Sequence, residues 1–420
     1  MTFKKTVLNN GIRVVSERIP SVKSVSIGLW VNVGSRDEEG TEHGLSHFLE
    51  HMFFKGTERK SAKAIAQEMD ALGGEMNAFT TRETTTFYTK VLDEHLSKAI
   101  NILADVFHHS VFDPEEIRKE RKVVLEEIKM VEDDPEELLN DYYLEQVWKK
   151  NPLGRSILGT TETVSSLRRE DIIGFLDKYY HPDRIVISVA GNFNLSVLNK
   201  LLNKSFGKYE SEKRLPIRRV APRTETGIFC KKKSLEQVHF CLGLPGVSQI
   251  DKNRNAYHVL NTVLGGSVSS RLFQSVREER GLVYSIYSYL SFFQDAGLFT
   301  IYAGTSVKNA VKVIRLVAKE LKKLRTEGIT SSELRKAKDH LKGSMMLNME
   351  STSSRMGQIA RDEVYFGRFF SMDEMIREID SVSLASVQEI AERVFDPSYY
   401  TLTTLGPLGK NAINEEILYS

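Results

Sequence analysis

Two kinds of hydrophobic periodicity occur along this chain. Segments in which apolar residues alternate with polar or small ones predict strands, and we expect strands at 25–33, 185–191, 238–244 and 297–304. Longer segments with apolar residues three and four positions apart predict helices, and we expect helices at 94–109, 112–128, 307–326 and 329–345. Because the helices and strands do not strictly alternate, the pattern favours an α+β fold over a doubly wound parallel sheet.

The order of these elements occurs twice. The strands at 25–33 and 238–244 are each followed by a polar loop and a helix-like segment. Further along, the helix at 112–128 aligns with the helix at 329–345, at nearly the same offset. A small drift in offset is what loop insertions between two copies of one fold produce. The pattern therefore favours a duplicated fold over a chance similarity of amphipathic helices.

A charged segment divides the chain into two halves of similar length. Residues 208–227 contain Pro216 and Pro222 and show little apolar periodicity, which is typical of a linker. We therefore predict an N-terminal domain at 1–207 and a C-terminal domain at 228–420.

The composition excludes several classes of protein. Hydrophobic residues make up 41% of the chain and charged residues 27%, as in a globular protein and unlike a disordered one. The net charge of +2, from 58 basic and 56 acidic residues, argues against a nucleic-acid partner. No apolar run approaches the roughly 18 residues that span a bilayer, and the first residues lack the apolar core of a secretory signal. We expect no membrane association.

The two cysteines do not form a recognisable redox or metal motif. The spacing of Cys230 and Cys241 fits neither a CxxC pair nor a zinc knuckle. We interpret them as reduced thiols on neighbouring strands, and a reducing, cytoplasmic compartment is the expectation that follows.

A metal-binding pattern lies in the segment 42–57. His47 and His51 are four positions apart, so a helix places them on one face, with Glu50 beside them. A zinc hydrolase needs two neutral imidazoles, a third ligand, a water and a base for that water. The sequence H-x-x-E-H is the inverzincin motif. Its apolar flanks favour a metal over an unpartnered pair of histidines, whereas His43 is expected outside the ligand set.

The third ligand is expected on the acidic helix at 115–130. Glu120 and Glu127 are two turns apart and share one face of that helix. In the aligned helix of the second half these positions are Ala337 and Ser344. The three motif residues likewise align with residues unsuited to such a site, which are Tyr257, Leu260 and Asn261. The pattern favours one metal site, in the first half, over a solvated acidic face.

With these residues the chain resembles the pitrilysin-type zinc metallopeptidases. Within them it is most similar to the processing-peptidase branch, which includes the mitochondrial processing peptidase beta subunit and its bacterial relatives. The resemblance extends over essentially the whole chain. It implies that His47, His51 and Glu127 bind Zn²⁺ and that Glu50 is the general base for a zinc-activated water. It also implies that Glu120 supports the site.

Two further segments resemble parts of this family. The segment 73–80 resembles the active-site strand, whose edge can pair with an extended peptide. Asn77 in this strand is a candidate substrate contact, with a strand-end residue as the alternative. In the segment 270–284 the resemblance implies that Arg277 and Tyr284 reach the substrate, and an arginine and a phenol can stabilise an oxyanion. The glycine-rich loop of noncatalytic subunits is absent, because the glycine pair at 265–266 is too short.

The resemblance implies two homologous α+β domains, each a mainly antiparallel sheet packed with helices, arranged as a clam shell around a chamber. It implies a zinc endopeptidase that cleaves short or unfolded peptides. One alternative is a non-proteolytic structural or partner subunit, in which the metal motif is typically degraded. Another is peptide binding without cleavage. The cleavage preference stays open. The oligomeric state also stays open, with a homodimer and a heterodimer with a related subunit as the candidates. Manganese or cobalt in place of zinc is a further alternative.

Overall fold

The computed structural model describes residues 2–210, 216–409, 413–414 and 416–419. The strands are β1 (Thr2–Val7), β2 (Arg13–Arg18), β3 (Ser24–Val31), β4 (Glu75–Thr80), β5 (Thr85–Leu92), β6 (Ile185–Gly191), β7 (Gly227–Lys232), β8 (Gln237–Pro245), β9 (Val283–Phe292), β10 (Gly297–Ser306) and β11 (Thr401–Gly406).

The α-helices follow the same chain order. They are α1 (Leu45–Met52), α2 (Ala62–Ala71), α3 (Leu96–His109), α4 (Pro114–Asp133), α5 (Pro135–Val147), α6 (Thr161–Ser166), α7 (Arg169–Tyr179), α8 (Leu195–Phe206), α9 (Arg254–Leu264), α10 (Ala310–Glu327), α11 (Ser331–Asn348), α12 (Thr352–Arg361), α13 (Met372–Asp380), α14 (Leu384–Val394) and α15 (Glu416–Tyr419). In the described part of the chain, no helix combines the length and apolarity needed to cross a membrane.

The described residues form two sheets with the same topology. The first has six strands in the order β1-β2-β6-β3-β5-β4, and the second has five in the order β7-β11-β8-β10-β9. Only the pairs β2–β6 and β7–β11 are parallel, and the other neighbours are antiparallel. Apart from β1, each strand of the first sheet has a counterpart at the same place in the second. The predicted α+β class with two mainly antiparallel sheets is confirmed.

The chain divides into two compact units that are discontinuous in sequence. The first contains Met1–Met130, Arg155–Arg219 and Asn348–Phe370. The second contains Val131–Gly154, Val220–Leu347 and Ser371–Ser420. Two segments therefore depart from the predicted ranges 1–207 and 228–420. The residues 131–154, which include α5, belong to the second unit, and the residues 348–370, which include α12, belong to the first.

The packing of α12 and α5 explains this difference. In the first unit, Met356 of α12 packs with Trp30 on one face of the sheet, and Thr352 hydrogen-bonds Ser26 at 2.9 Å between the hydroxyl oxygens. In the second unit, the fully buried Tyr143 of α5 hydrogen-bonds Thr300 of β10 at 3.0 Å. Each helix thus buries its apolar face on a sheet that is distant in sequence, which a linear pattern does not indicate.

The other face of the first sheet carries the main core of that unit. Its strands pack there against α1, α3, α7 and α8 through one continuous cluster of buried apolar side chains. Part of the predicted linker, residues 211–215, lies outside the described residues. Beyond these residues the Arg219 side chain, which is 8% exposed, lies in the first unit with its guanidinium 2.8 Å from the Asp37 carboxylate. This ion pair holds the middle of the predicted linker against the segment before α1.

The prediction that the two cysteines lie on neighbouring strands is wrong. Cys230 lies on β7 and Cys241 on β8, but β11 is inserted between these strands in the sheet. The reason is that the last strand of the second unit returns from far along the chain and pairs with both. Both thiols are free.

Candidate metal centre

The helix α1 carries the H-x-x-E-H motif because its apolar residues define one buried face. Leu45, Phe48, Leu49 and Met52 are spaced at three and four positions and are at most 1% exposed. This spacing anchors one side of the helix in the core. The partly exposed side carries His47, Glu50 and His51, so the predicted helical placement of the motif is confirmed.

The start of α1 is held by a buried carboxylate. Glu38 accepts hydrogen bonds from the backbone N–H groups of Gly44 and Ser46, at 2.8 and 2.7 Å. A carboxyl group at this position satisfies backbone donors that are otherwise unpaired at a helix N-terminus. Gly44 has φ +93°, and a Cβ there would lie 2.6 Å from the Leu158 carbonyl oxygen. Glycine is therefore required at this position for two reasons, backbone conformation and space.

The three predicted ligands converge in the first unit. The Oε2 atom of Glu127, on α4, lies 3.8 Å from Nε2 of His47 and 3.6 Å from Nε2 of His51. The three donor atoms all lie within 4.8 Å of one another. The ring centroids of the two histidines are 4.7 Å apart. The structure thus brings together residues from two helices that are distant in the sequence.

The chemistry of this group fits a divalent metal ion. Oε2 of Glu127 is buried and has no hydrogen-bond partner among the described residues. Such groups are costly to bury unless a ligand satisfies them. Burial, with a smaller effect of His51, lowers the pKa of His47 to about 4. The imidazole is therefore neutral near pH 7, as a metal ligand must be, and two imidazoles with one carboxylate are a donor set typical of zinc.

Glu50 lies beside this group and is held by Thr80. The Thr80 hydroxyl, on β4, donates to Oε2 of Glu50 at 2.6 Å. Burial raises the pKa of Glu50, and the nearby charge of Glu127 adds to this rise. The hydrogen bond from Thr80 and the proximity of His51 lower the pKa but do not cancel the effect of burial. A carboxylate with a raised pKa accepts a proton more readily near neutral pH. The position and the environment of Glu50 suit a general base.

Glu120 connects the ligand His51 to a lysine. Its Oε2 atom lies 3.1 Å from Nδ1 of His51, and its Oε1 atom lies 2.6 Å from Nζ of Lys55. A carboxylate on the second nitrogen of a ligating histidine fixes the orientation of the ring. The structure therefore places Glu120 where the sequence analysis expected a supporting residue.

Three residues at this centre were not assigned a role from the sequence. They are Thr80, Lys55 and Glu38. For Thr80 a signal existed, because the alternation in β4 turns Met76, Ala78 and Thr80 inward and leaves Asn77 exposed. For Lys55 the local sequence offers no signal, because its partner Glu120 is 65 positions away. For Glu38 it offers none either, because the contact with Gly44 depends on how the loop between them closes.

The remaining predicted site residues of the first unit lie outside the ligand group. Nε2 of His43 is 2.9 Å from the Ser156 carbonyl oxygen, so this histidine contacts backbone, as expected for a residue outside the ligand set. Asn77 is exposed on β4, at the edge of its sheet, and its Oδ1 atom accepts a hydrogen bond from the N–H of Ala78 at 2.8 Å. A role of Asn77 in substrate binding stays a prediction.

Arg277 and Tyr284 are neighbours in the second unit. The Arg277 guanidinium carbon lies 5.2 Å from the centroid of the Tyr284 ring and 4.6 Å from that of Phe273. Tyr284, at the start of β9, is 79% exposed. The two residues are thus available to a ligand as a cation–aromatic pair. Their contact with a substrate stays a prediction.

Comparisons with known proteins agree with the topology. The chain superposes on a protease from Helicobacter pylori with a TM-score of 0.90 over 96% of this chain and 99% of that one, at 23% identity. It superposes on a structure from Pseudomonas fluorescens described as a peptidase M16 inactive domain with a TM-score of 0.89, at 19% identity, over 97% of this chain and 99% of that one. At these identities the likeness shows the fold.

Sequence comparison goes further than the fold. An uncharacterized zinc protease of Bacillus subtilis (strain 168) is 44% identical over 97% of this chain and 99% of its own length. Another, of Streptomyces coelicolor, is 40% identical over 97% of this chain and 90% of its own. The profile of the insulinase family, peptidase family M16, matches residues 13–161, and that of the M16 inactive domain matches 166–341. The chain therefore belongs to peptidase family M16.

Proposed function

We propose that this protein is a zinc-dependent endopeptidase that cleaves short or unfolded peptides. The observation that carries the proposal is the convergence of His47, His51 and Glu127 within 4.8 Å, with Glu50 beside them. Relatives of similar length that are 40% or more identical are named zinc proteases, which supports the same reading. A processing-peptidase-like role is the finer form of this proposal, and it rests on the resemblance described above.

In this proposal His47, His51 and Glu127 hold the ion. Bound zinc would lower the pKa of a coordinated water to about 7 and polarise a peptide carbonyl. Glu50 accepts a proton from the attacking water and passes it to the leaving amine. Thr80 keeps the Glu50 carboxylate in one orientation through its 2.6 Å hydrogen bond. Glu120 holds the ring of His51 through Nδ1, so that Nε2 stays free to bind.

The edge strand β4 is the proposed docking element for the peptide. It pairs with β5 only, among the described strands, and its other edge has no strand beside it in the described sheet. Main-chain hydrogen bonds to such an edge give affinity with little demand on sequence. Because Thr80 ends this strand, a peptide paired along it would pass close to Glu50. A contact of Arg277 and Tyr284 with the substrate is part of the same proposal and rests on the resemblance alone, since an arginine and a phenol can stabilise an oxyanion.

A non-proteolytic subunit is the competing function. The described chain retains both histidines, the distal glutamate and the base, and all of them lie at one place. A protein that had lost catalysis would have no physical need to keep these partly buried polar groups together. The intact centre therefore favours a peptidase.

The test is cleavage of a quenched fluorescent peptide library by the purified chain, with Glu50→Gln and Lys63→Met beside it. Lys63 is exposed on α2 and serves as a surface control. We expect cleavage by the wild type and by Lys63→Met, and none by Glu50→Gln, although zinc still binds to it. Equal cleavage by Glu50→Gln would contradict the role of base. Zinc binding without cleavage by any variant would favour the non-proteolytic alternative.

A further inference from the structure

Lys55 lies beside the metal centre, and the functions above do not use it. Its ammonium lies 2.6 Å from Oε1 of Glu120, whose Oε2 atom is 3.1 Å from Nδ1 of His51. The Glu120 side chain is 7% exposed and that of Lys55 is 29% exposed. A continuous series of contacts thus runs from a partly exposed cation, through a buried carboxylate, to a metal ligand.

This ion pair differs from the lysine–glutamate pairs formed within α4. The pairs Lys119–Glu116 and Lys129–Glu126 join residues three positions apart on one exposed helix face. Such pairs contribute little to stability, because water screens both partners. Glu120, in contrast, is buried on α4, and Lys55 comes from the segment after α1. The Lys55–Glu120 pair therefore connects the two helices that carry the ligands.

The backbone holds Lys55 at this place. The helix α1 ends at Met52, and the side chain of the next residue, Phe53, is 1% exposed in the core. The N–H of Lys55 donates to the Met52 carbonyl oxygen at 3.2 Å. Gly56 follows with φ +118°, a conformation that turns the chain away. Lys55 is thus held one turn beyond His51 and does not belong to a mobile loop end.

We propose that Lys55 is a positioning residue for the metal centre and acts on His51 through Glu120. A histidine that binds metal through Nε2 must direct its Nδ1–H to an acceptor, which fixes the ring. Oε2 of Glu120 supplies this acceptor. The Glu120 carboxylate keeps one orientation only if its second oxygen, Oε1, is also held. The Lys55 ammonium holds that oxygen and pairs a buried negative charge that would otherwise be uncompensated. The inference rests on the proposed metal site.

Lysine suits this role for a geometric reason. A single ammonium binds one carboxylate oxygen as a point charge and leaves the second oxygen to His51. A guanidinium tends to take both carboxylate oxygens at once. Lys55→Arg therefore keeps the charge but competes with His51 for Oε2. Lys55→Met keeps the length of the side chain and removes the charge.

The experiment measures the zinc affinity of the apoprotein by competition with a chromophoric chelator. The variants are Lys55→Met, Lys55→Arg, Glu120→Gln and the double variant Lys55→Met/Glu120→Gln, with Lys63→Met as the exposed control. We expect Lys55→Met to weaken zinc binding about 10-fold, since residues that support a ligand typically contribute 10- to 100-fold. Lys63→Met should bind as the wild type does. In the Glu120→Gln background, Lys55→Met should have no further effect.

A second readout separates positioning from a purely structural role. Cobalt replaces zinc, and its visible absorption spectrum reports the ligand geometry around the ion. We expect a changed spectrum for Lys55→Met and an unchanged one for Lys63→Met. Should Lys55→Met not fold, Lys55→Arg supplies the same measurements, with weakened binding and a changed spectrum expected.

The possible failures are distinguishable. If the wild type binds no zinc, the proposed function fails, and the inference fails with it. If the wild type binds zinc and Lys55→Met binds it equally well with the same cobalt spectrum, only the inference is overturned. An equal loss of affinity from Lys55→Met in the wild-type and Glu120→Gln backgrounds would also overturn it, because the effect would not pass through Glu120.

Discussion

The hydroxyl of Thr80 donates a hydrogen bond to Oε2 of Glu50 at a distance of 2.6 Å. This contact joins the last residue of an edge strand to the proposed base on α1. It places the strand edge on which a peptide is proposed to pair next to the proposed base. The proposed docking and proton transfer thus share one short structural connection, which can be tested at Thr80 without altering any proposed ligand.

We expect Thr80→Val to lower kcat about 10- to 100-fold and to change KM far less. The reason is that the variant preserves the shape of the side chain but removes the donor that orients Glu50, and small errors of position are costly in catalysis. Steady-state kinetics on a peptide cleaved by the wild type check this. Thr80→Ser, which keeps the hydroxyl, should retain most of the activity. A kcat of Thr80→Val equal to that of the wild type would refute the role.

Removal of the metal should destabilise the protein. An ion bound only by the folded state adds about 2.7 kcal/mol when its concentration is 100 times Kd. We expect a strong chelator to lower the Tm of the zinc-loaded protein by about 5–10 °C. Differential scanning calorimetry provides the measurement. His47→Ala lacks one donor, and the chelator should leave its Tm almost unchanged. The same decrease in His47→Ala would mean that the stabilising ion binds elsewhere.

Gly44→Ala should destabilise the start of α1. The positive φ costs about 1 kcal/mol for a residue with a Cβ, and an overlap with the Leu158 carbonyl, 2.6 Å away, costs about 1–3 kcal/mol more. Gly11→Ala is a matched control, because Gly11 has φ +94° but nothing within 4 Å of its Cβ position. Urea unfolding should show a larger loss for Gly44→Ala. Equal losses in the two variants would show that the overlap is relieved.

The stability of the second unit should depend on pH through Glu333. The Arg271 guanidinium lies 2.7 Å from one carboxylate oxygen and 2.9 Å from the other. Burial would raise the pKa of Glu333, but the bonds from Arg271 and Thr330 outweigh this effect and lower it from 4.5 to about 2. A lowered pKa in the folded state adds stability above the unfolded value, and this stability is lost as the pH falls from about 4.5 towards 2.

Glu333→Gln removes this titration. We expect its free energy of unfolding to be lower than that of the wild type at pH 7, and the difference to shrink between pH 4.5 and 2. Chemical unfolding at a series of pH values within this range measures both proteins. Parallel curves for the two proteins would show that Glu333 does not contribute to the acid sensitivity.

Much of the fold could be predicted from the sequence. The alternation of apolar residues located the core strands, and their three- and four-residue spacing located the long helices. Both patterns are local, because the direction of each side chain in a strand or helix depends only on its position along that element. The repeated order of elements predicted the duplication that the two sheets display. The sequence did not indicate that α5, from the first half of the chain, packs in the second unit, or that α12, from the second half, packs in the first. It also did not indicate that β11 inserts between β7 and β8.

The sequence by itself also determined the chemistry available at the centre. Two histidines four positions apart and a glutamate between them can face one ion on any helix, so His47, Glu50 and His51 were identified from spacing alone. The resemblance already implied Glu127 and Glu120, whereas only the tertiary structure decided that Thr80 and Lys55 complete the centre. Glu127, Thr80 and Lys55 meet these residues because α1, α4 and β4 pack together. Such contacts depend on the three-dimensional packing of segments, which no local periodicity encodes.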